Sequence, residues 1–333
     1  MKAFQIRKYK GPLEPAQVSV PTVGKNDVLV KVLAASLNQL DEMLRIGTFK
    51  ATLPYKLPLT LGNDFAGEVV EVGQNVRTFK AGDMVFAKPN QKRIGAFAEY
   101  IAVDQADLAL APASISKAEA ASLPLVGLTA WQALVERGNL KAGQKVLIHG
   151  GAGGVGSIAI QLARHLGATV TTTVSGKNAA FVTELGAQNV IDYKTQDFSK
   201  VSGNFDLILD TQGGETLMKS LEILKPGGLV IGIAGPPDAP FALNAGLSPI
   251  LKFVIKQLSS KVTQKAKALG VRYEFLFVQS NGEQLANLAK MVDAGVIRPI
   301  LGKTFSFDET PEALNQLAAG KIGRGKAVIV VSE

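Results

Sequence analysis

A glycine-rich turn near the middle of the chain has the residue types and spacing most directly suited to chemistry. Within residues 150–156, three glycines follow the spacing Gly151-x-Gly153-x-x-Gly156. The run Lys145–His149 before the turn is typical of a buried strand, and the apolar run after it is typical of a helix. The spacing alone is a weak signal, but a preceding strand and a following helix form the context in which it binds a dinucleotide.

Each glycine of this turn has a physical task. The first permits the tight connection from strand to helix, and the middle ones let the backbone approach a pyrophosphate. Gly156 allows the helix to pack closely on the strand. The N–H groups of Gly154 and Val155, at the start of the helix, attract phosphate. The turn therefore predicts a dinucleotide-binding site.

The end of the next predicted strand, Thr169–Val174, indicates which dinucleotide binds. NAD sites usually carry an Asp or Glu about 20 residues after the glycines, where it binds the ribose hydroxyls. Here the strand is followed by Ser175 and Lys177 without an acid, and Tyr193 follows the strand after that. A hydroxyl group and a cation suit a 2′-phosphate, so we expect NADPH.

Composition excludes several other chemistries. The 333 residues include 36 Lys and Arg, 28 Asp and Glu, two His and no Cys. Disulfides, cysteine nucleophiles, cysteine-ligated metal sites and a three-histidine metal site are therefore excluded. We expect His149, in a buried strand, and His165 to be structural. The net charge of +8 comes from scattered residues, so we expect a solvated basic surface and no nucleic-acid partner.

The order of elements predicts an α/β protein with two domains. Short β-type runs fill the first third, helices and strands alternate from about residue 117, and β-type runs return near Val296. We expect a β-barrel domain at 1–120 plus 297–333 and a doubly wound parallel sheet at 121–296. The predicted strands are Lys2–Ile6, Val28–Leu33, Glu68–Gly73, Asp83–Ala87, Lys145–His149, Thr169–Val174, Val190–Asp192, Phe205–Asp210, Gly228–Ile233, Thr304–Phe307 and Ala327–Val331. The predicted helices are Lys117–Glu136, broken at Pro124, then Ser157–Leu166, Ala179–Leu185 and Glu215–Leu224.

The segment Leu247–Leu269 predicts a basic amphipathic helix, because five lysines alternate with apolar residues. A surface helix with a solvated lysine face is the favoured interpretation, and contact with an anionic membrane surface is the alternative. No signal-peptide pattern follows Met1, and the longest uncharged stretch, 120–135, is too short to span a bilayer. We therefore expect a cytoplasmic protein.

Several runs taken together resemble the zinc-independent medium-chain dehydrogenase/reductase family, in its quinone oxidoreductase branch. They cover nearly the whole chain in order: residues 34–41, 61–70, 127–131, 151–156, 305–313 and 323–326. The resemblance implies a GroES-like β-barrel domain joined to a Rossmann domain, with the active site in the cleft between them. It also implies a homodimer, and we expect this to form through an edge strand near Gly228–Ile233.

The resemblance also implies roles for individual residues. Zinc-dependent members carry Cys near the position of Asn38 and His at that of Asn63, so zinc-assisted alcohol oxidation is not expected. Asn38 would lie near the nicotinamide and Thr129 would orient it. The implied cofactor-binding set is Asn38, Thr129, Gly151, Gly153, Gly154, Val155, Gly156, Ser175, Lys177, Tyr193, Gly323 and Arg324.

Without a metal ion, the acceptor must already be electrophilic. Quinones and α,β-unsaturated carbonyls both qualify, so the chain is expected to be a quinone reductase or an enone (2-alkenal) reductase. The proton donor would be Tyr55 or solvent, with Lys56 a weaker candidate, although Tyr55 could equally serve to pack its loop. Asp41 and Arg45 are expected to pair with each other. A protein that binds NADPH as a sensor, without turnover, is the third possibility.

Overall fold

The structure is a computed structural model, and it describes residues 1–201 and 203–332. It consists of two compact units, the first Met1–Leu128 together with the segment that begins at Gln279, the second Thr129–Val278. These units divide after residues 128 and 278, whereas the expected domains divided after 120 and 296. The difference at the second boundary arises because a helix at Gly282–Asp293 belongs to the first unit.

The described residues form sixteen strands and ten α-helices. The strands are β1 (Lys2–Ile6), β2 (Glu14–Gln17), β3 (Asp27–Ser36), β4 (Leu59–Thr60), β5 (Phe65–Val72), β6 (Met84–Ala87), β7 (Tyr100–Asp104), β8 (Leu108–Leu110), β9 (Lys145–His149), β10 (Thr169–Val174), β11 (Asn189–Asp192), β12 (Phe205–Asp210), β13 (Leu224–Gly232), β14 (Arg272–Phe275), β15 (Leu301–Ser306) and β16 (Lys326–Val330). The α-helices are α1 (Gln39–Arg45), α2 (Lys117–Ala121), α3 (Pro124–Trp131), α4 (Gly154–His165), α5 (Ala179–Leu185), α6 (Gly214–Ser220), α7 (Ala239–Asn244), α8 (Pro249–Ala268), α9 (Gly282–Asp293) and α10 (Thr310–Ala318).

The first unit is built around β3, whose ten residues are almost all buried. This strand pairs antiparallel with β5, β7 and β16 in a seven-stranded sheet, and β2, β1 and β4 form a second sheet of three strands. One hydrophobic core contains side chains from both sheets, including Phe4, Val30 and Phe65. Because β16 pairs with β3, the C-terminal segment completes this unit, as the return of β-type sequence predicts.

The second unit contains a six-stranded parallel sheet in the order β11-β10-β9-β12-β13-β14. From β9 the chain moves outward to β10 and β11 on one side, and then from β12 to β14 on the other. The switch in direction lies between β9 and β12, and a crevice opens outside the carboxyl ends of strands at such a point. The glycine-rich turn follows the carboxyl end of β9. The expected α/β fold, a GroES-like domain and a Rossmann sheet, is confirmed.

Two sequence expectations about this sheet are wrong. All of the run Gly228–Ile233 except its last residue lies in β13, which is flanked by β12 and β14 and is therefore not an edge strand. The edge on that side is β14, which the sequence analysis missed because only two of its four residues are buried. The helix expected at Glu215–Leu224 ends earlier, since Leu221–Ile223 forms a 3-10 turn and Leu224 begins β13.

Among the described residues, no helix combines the length and apolar character needed to cross a membrane.

Candidate active site

The glycine-rich turn is shaped so that side chains would not fit in it. A Cβ at Gly151 would lie 2.2 Å from Thr172 Oγ1, and one at Gly156 would lie 2.3 Å from the carbonyl oxygen of Gly150. Gly150 itself has a φ of +70°, which favours glycine. These contacts are consistent with the two predicted roles of the glycines, which are a tight turn and close packing of the helix on the strand.

The residue before α4 leaves the start of the helix open. Gly153 is the N-cap and carries no side chain to accept hydrogen bonds from the first turn. The nearest atom to a Cβ at Gly153 is the Gly150 carbonyl oxygen, at 3.3 Å. The N–H groups of Gly154 and Val155 begin the helix, where its dipole favours an anion. This cradle of backbone suits a pyrophosphate.

The residues expected at the adenosine end follow two neighbouring strands. Ser175 comes after β10 and is buried, and Lys177 is exposed. Tyr193 comes after β11; its N–H donates to Val174 O at 3.2 Å, and its side chain is 60% exposed. The structure therefore brings Ser175 and Tyr193 together at the carboxyl ends of the strands, because β10 and β11 pair in parallel.

The carboxylate of Asp192, which was not predicted as a site residue, also lies at the carboxyl ends of these strands. Asp192 ends β11, and a Cβ at Gly176 would lie 2.6 Å from its Oδ2. Its Oδ1 accepts from the N–H of Lys194 at 3.0 Å. The absence of an acid after β10 therefore does not mean that the site lacks one. The pairing of Val174 with Asp192 is the signal that could have found it.

In the first unit, Asn38 lies between β3 and α1 with its amide held at both ends. Its Nδ2 donates to Asp64 Oδ2 at 2.9 Å, and its Oδ1 accepts from Lys326 Nζ. Lys326 also donates to the Leu37 carbonyl oxygen at 2.8 Å and lies 3.5 Å from Asp64 Oδ2. All three side chains are buried. The orientation of the predicted nicotinamide neighbour is therefore fixed by a lysine from β16.

A second carboxylate links Asn38 to Asn63, the two positions where the resemblance implies Cys and His in zinc-dependent members. Asp41 Oδ2 accepts from the N–H of Asn38, and its Oδ1 accepts from Asn63 Nδ2, both at 2.7 Å. The expected pairing of Asp41 with Arg45 is wrong, because Arg45 pairs instead with Glu42 at 2.7 Å. We call Asn38, Asp41, Asn63, Asp64 and Lys326 the buried polar network.

Burial governs the ionisation of this network. It raises the pKa of Asp41 to about 6, although the hydrogen bond from Asn63 opposes the shift. Burial also raises the pKa of Asp64 and lowers that of Lys326, while their mutual attraction opposes both shifts. The Asp64 carboxylate also accepts hydrogen bonds from Ser36 Oγ at 2.9 Å and from the N–H of Leu125 at 2.8 Å.

Tyr55 is connected to the buried polar network through Gln91. The Tyr55 hydroxyl donates to the Gln91 carbonyl oxygen at 2.5 Å and accepts from Gln91 Nε2 at 3.1 Å. The same Nε2 lies 3.4 Å from Asn63 Oδ1, and Gln91 Oε1 accepts from Lys88 Nζ at 3.3 Å. Burial raises the pKa of Tyr55 to about 12 and lowers that of the fully buried Lys88 to about 8. Lys56 is exposed.

The remaining predicted residues lie in other elements. Thr129 is buried within α3 in the second unit. Gly323, with a φ of +86°, and Arg324 lie in the connection between α10 and β16 in the first unit. Two residues later in the same run, Lys326 enters the buried polar network. This run is part of the family resemblance, but the sequence did not indicate Lys326 as a site residue.

His149 is held by hydrogen bonds at both ring nitrogens. Nδ1 lies 3.1 Å from Thr173 Oγ1 and Nε2 lies 3.0 Å from Ser220 Oγ. Burial lowers its pKa to about 4, so the ring is neutral at pH 7. This arrangement supports a structural role. Within residues 1–201 and 203–332, no three His, Cys, Asp or Glu side chains are grouped so that they could hold a metal ion.

Comparisons with known proteins identify the family. The model of the alcohol dehydrogenase GroES-like domain matches residues 24–113, and the model described as zinc-binding dehydrogenase matches residues 185–329. The mitochondrial NAD(P)H oxidoreductase RTN4IP1 of Danio rerio is 38% identical over 92% of this chain and 84% of that protein. The 2-methylene-furan-3-one reductase of Solanum lycopersicum is 36% identical over 99% of this chain and 79% of that protein.

A solved structure agrees over the full length. The quinone oxidoreductase from Coxiella burnetii matches with a TM-score of 0.86 and 35% identity, covering 99% of each chain. The glycine-rich turn after β9 and these similarities together identify the family. The chain belongs to the medium-chain dehydrogenase/reductase family, in its quinone oxidoreductase branch.

Proposed function

We propose that this protein is an NADPH-dependent reductase that transfers hydride to quinones without a metal ion. The observation that carries the proposal is the buried polar network. The resemblance implies that Asn38 and Asn63 stand where zinc-dependent members carry two metal ligands, and their amides are engaged with Asp64, Lys326 and Asp41. A site without a Lewis acid must use an acceptor that is already electrophilic. The similarity to a quinone oxidoreductase over the whole chain supports the same acceptor.

The residues of the second unit are proposed to bind the cofactor. Bound NADPH would supply the hydride. The backbone of the glycine-rich turn would hold the pyrophosphate, with Thr129 orienting the nicotinamide. Ser175, Lys177 and Tyr193 would hold the 2′-phosphate, with Lys177 offsetting the negative charge of the neighbouring Asp192.

The residues of the first unit are proposed to act on the acceptor side. The Asn38 amide is proposed to lie near the nicotinamide, and Gly323 and Arg324 would contact the cofactor. A quinone that accepts a hydride needs one proton to become a quinol. Tyr55 is proposed to donate it, with solvent as the alternative, because burial keeps its phenol protonated to about pH 12.

The test mixes the protein with NADPH and 1,4-benzoquinone or 9,10-phenanthrenequinone, and follows the loss of reduced nicotinamide absorbance. We expect rapid oxidation that survives incubation with a chelator. We expect Lys177→Glu to raise the KM for NADPH about 10-fold to 100-fold, through loss of a charge-assisted contact, and to leave the KM for NADH unchanged. Lys200→Glu, an exposed lysine in the same unit, is the control. NADPH binding without turnover of any acceptor would favour the sensor hypothesis instead.

A second candidate acceptor is the carbon–carbon double bond of an enone or 2-alkenal. The 36% identity to a 2-methylene-furan-3-one reductase favours it. The same assay with a 2-alkenal distinguishes the two, since the preferred acceptor will have the higher kcat/KM.

We further propose a cytoplasmic homodimer. An unpaired sheet edge can join two copies of a chain, and β14 is such an edge. Sedimentation velocity will measure the state of assembly, and fractionation of the native cells will test the location, since the relative RTN4IP1 is mitochondrial.

A further inference from the structure

The helix α8 is amphipathic in a way that its sequence alone did not reveal. Its buried residues, Ile255, Ser259, Val262 and Ala266, recur every three or four positions and pack into the second unit. Such spacing is that of a single helix face. The sequence predicts that the opposite face carries solvated lysines, whereas the structure places large apolar side chains there.

We call these side chains the outward face of α8. They are Ile250, Phe253, Val254 and Leu258, which are 76%, 63%, 43% and 62% exposed. Their spacing again follows a helical face, and they extend over about 12 Å at the helical rise. Leu243 on α7 and Leu269 after α8 are also exposed. Among the described residues, six of the thirteen exposed large hydrophobic side chains therefore lie within residues 243–269, whereas the others are distributed over the rest of the chain.

The charges that α8 itself carries have one sign. Helix α8 contains five lysines and no acidic residue. Lys256 follows Phe253 by three positions, and Lys261 follows Leu258 by three, so both border the outward face. Lys265 is held by Glu222 at 2.5 Å. None of the ion pairs found among the described residues involves Lys256 or Lys261, and both are exposed.

This combination selects among possible partners. A second copy meeting this face about a two-fold axis would place lysines opposite lysines, which is unfavourable. An anionic bilayer surface instead accepts apolar side chains between its headgroups while attracting lysines at the rim, whose stems reach along the apolar layer. We propose that the outward face of α8 docks the protein on anionic lipid membranes, with the helix lying in the plane of the surface. Such docking does not depend on the proposed enzymatic function.

Vesicle co-sedimentation tests the docking. The full chain is mixed at about 50 mM salt with phosphatidylcholine vesicles, with or without about 30 mol % phosphatidylglycerol. We expect sedimentation with the anionic vesicles, none with the neutral ones, and release at high salt. No sedimentation with anionic vesicles at low salt would overturn the proposal.

Variants locate the contact. Replacing Ile250, Phe253 and Leu258 together by serine is expected to lower the partition coefficient at least about 30-fold. Replacing both Lys256 and Lys261 by glutamine is expected to lower the partition coefficient about 25-fold, at roughly fivefold for each lysine.

The matched control replaces exposed apolar residues of the first unit by serine, at Val70, Met84 and Leu110. Equal loss in the control would overturn the proposal.

A fluorescent reporter separates insertion from loose adsorption. The chain has one tryptophan, Trp131, so Phe253→Trp in a Trp131→Phe background places a single probe on the outward face. Its emission is expected to shift to the blue when anionic vesicles are added.

Sedimentation velocity tests whether the outward face of α8 instead binds a second copy of the chain. A dimer that the triple serine variant converts to a monomer, without vesicle binding by either protein, would assign the face to self-association and overturn the proposal.

Discussion

Replacing Lys326 by methionine will remove the ammonium group that bonds Asn38 and approaches Asp64 in the interior of the first unit. Methionine fills a similar volume, so the change chiefly removes charge. Lys326 and Asp64 are both buried, and breaking a buried pair from one side costs about 3–5 kcal/mol because the other charge is left uncompensated. We expect a loss of this size in the free energy of unfolding at pH 7.5.

The pH dependence of this loss follows from the direction of the pKa shift. Burial already raises the pKa of Asp64, and Lys326 is the main group that opposes the shift. The variant therefore carries an Asp64 whose pKa is higher still. As the pH falls, this carboxyl takes up a proton in the folded state before the unfolded chain does, which stabilises the folded variant by up to about 1.4 kcal/mol for each pH unit. The deficit relative to the wild type is therefore expected to shrink as the pH falls.

Urea unfolding followed by far-ultraviolet circular dichroism at several pH values measures both effects. Lys303→Met is the matched control, because Lys303 is an exposed lysine of the same unit that donates to Gln316. Its cost should stay below about 0.5 kcal/mol. Adding Asp64→Asn to Lys326→Met should recover at least about 1 kcal/mol, since position 64 then no longer carries a buried charge without its partner. A deficit below about 1 kcal/mol, or one that does not change with pH, would show that Lys326 does not compensate a buried charge on Asp64.

Three further predictions concern single groups. Gly156→Ala should give a protein destabilised by about 2–4 kcal/mol in urea, because its Cβ would meet the backbone oxygen of Gly150; a change below about 0.5 kcal/mol would show that the turn can adapt. His149→Phe should lower stability by about 2 kcal/mol at pH 7 and leave kcat unchanged. Its deficit should shrink below pH 6.5, because the unfolded wild-type histidine takes up a proton there while the folded one, with a pKa of about 4, does not; a constant deficit would contradict this. Tyr55→Phe should lower kcat about 100-fold with unchanged KM for NADPH, and an unchanged kcat would assign the proton to solvent.

Three of the six strands of the parallel sheet in the second unit were predictable from sequence to the residue. The strands at Lys145–His149, Thr169–Val174 and Phe205–Asp210 have the bounds that their apolar runs indicate. Each of these runs is rich in the aliphatic or β-branched residues that are typical of strands buried in a parallel sheet. The strand β14, with the sequence Arg-Tyr-Glu-Phe, carries no such signal because only two of its four residues are buried.

The candidate site was predictable only where its residues are close together in the sequence. The glycine-rich turn is a contiguous segment, so its spacing can be read directly. The buried polar network is assembled from distant parts of the chain, since the Lys326 to Asn38 bond spans 288 positions. No local pattern marks such a contact. A lysine or an aspartate in a sequence also predicts a solvated side chain, because charged residues are almost never fully buried unless paired.

The cost of this network indicates what it is for. Replacing buried ion pairs by apolar residues is often neutral or stabilising, so charge pairing alone does not account for two carboxylates and a lysine in this interior. Their hydrogen bonds converge on the amides of Asn38 and Asn63, each of which has a single orientation that satisfies its partners. A fixed amide is preorganised in the way that a site needs when no metal ion orients the reactants. The charges are thus best understood as the means by which this unit holds two neutral side chains in place.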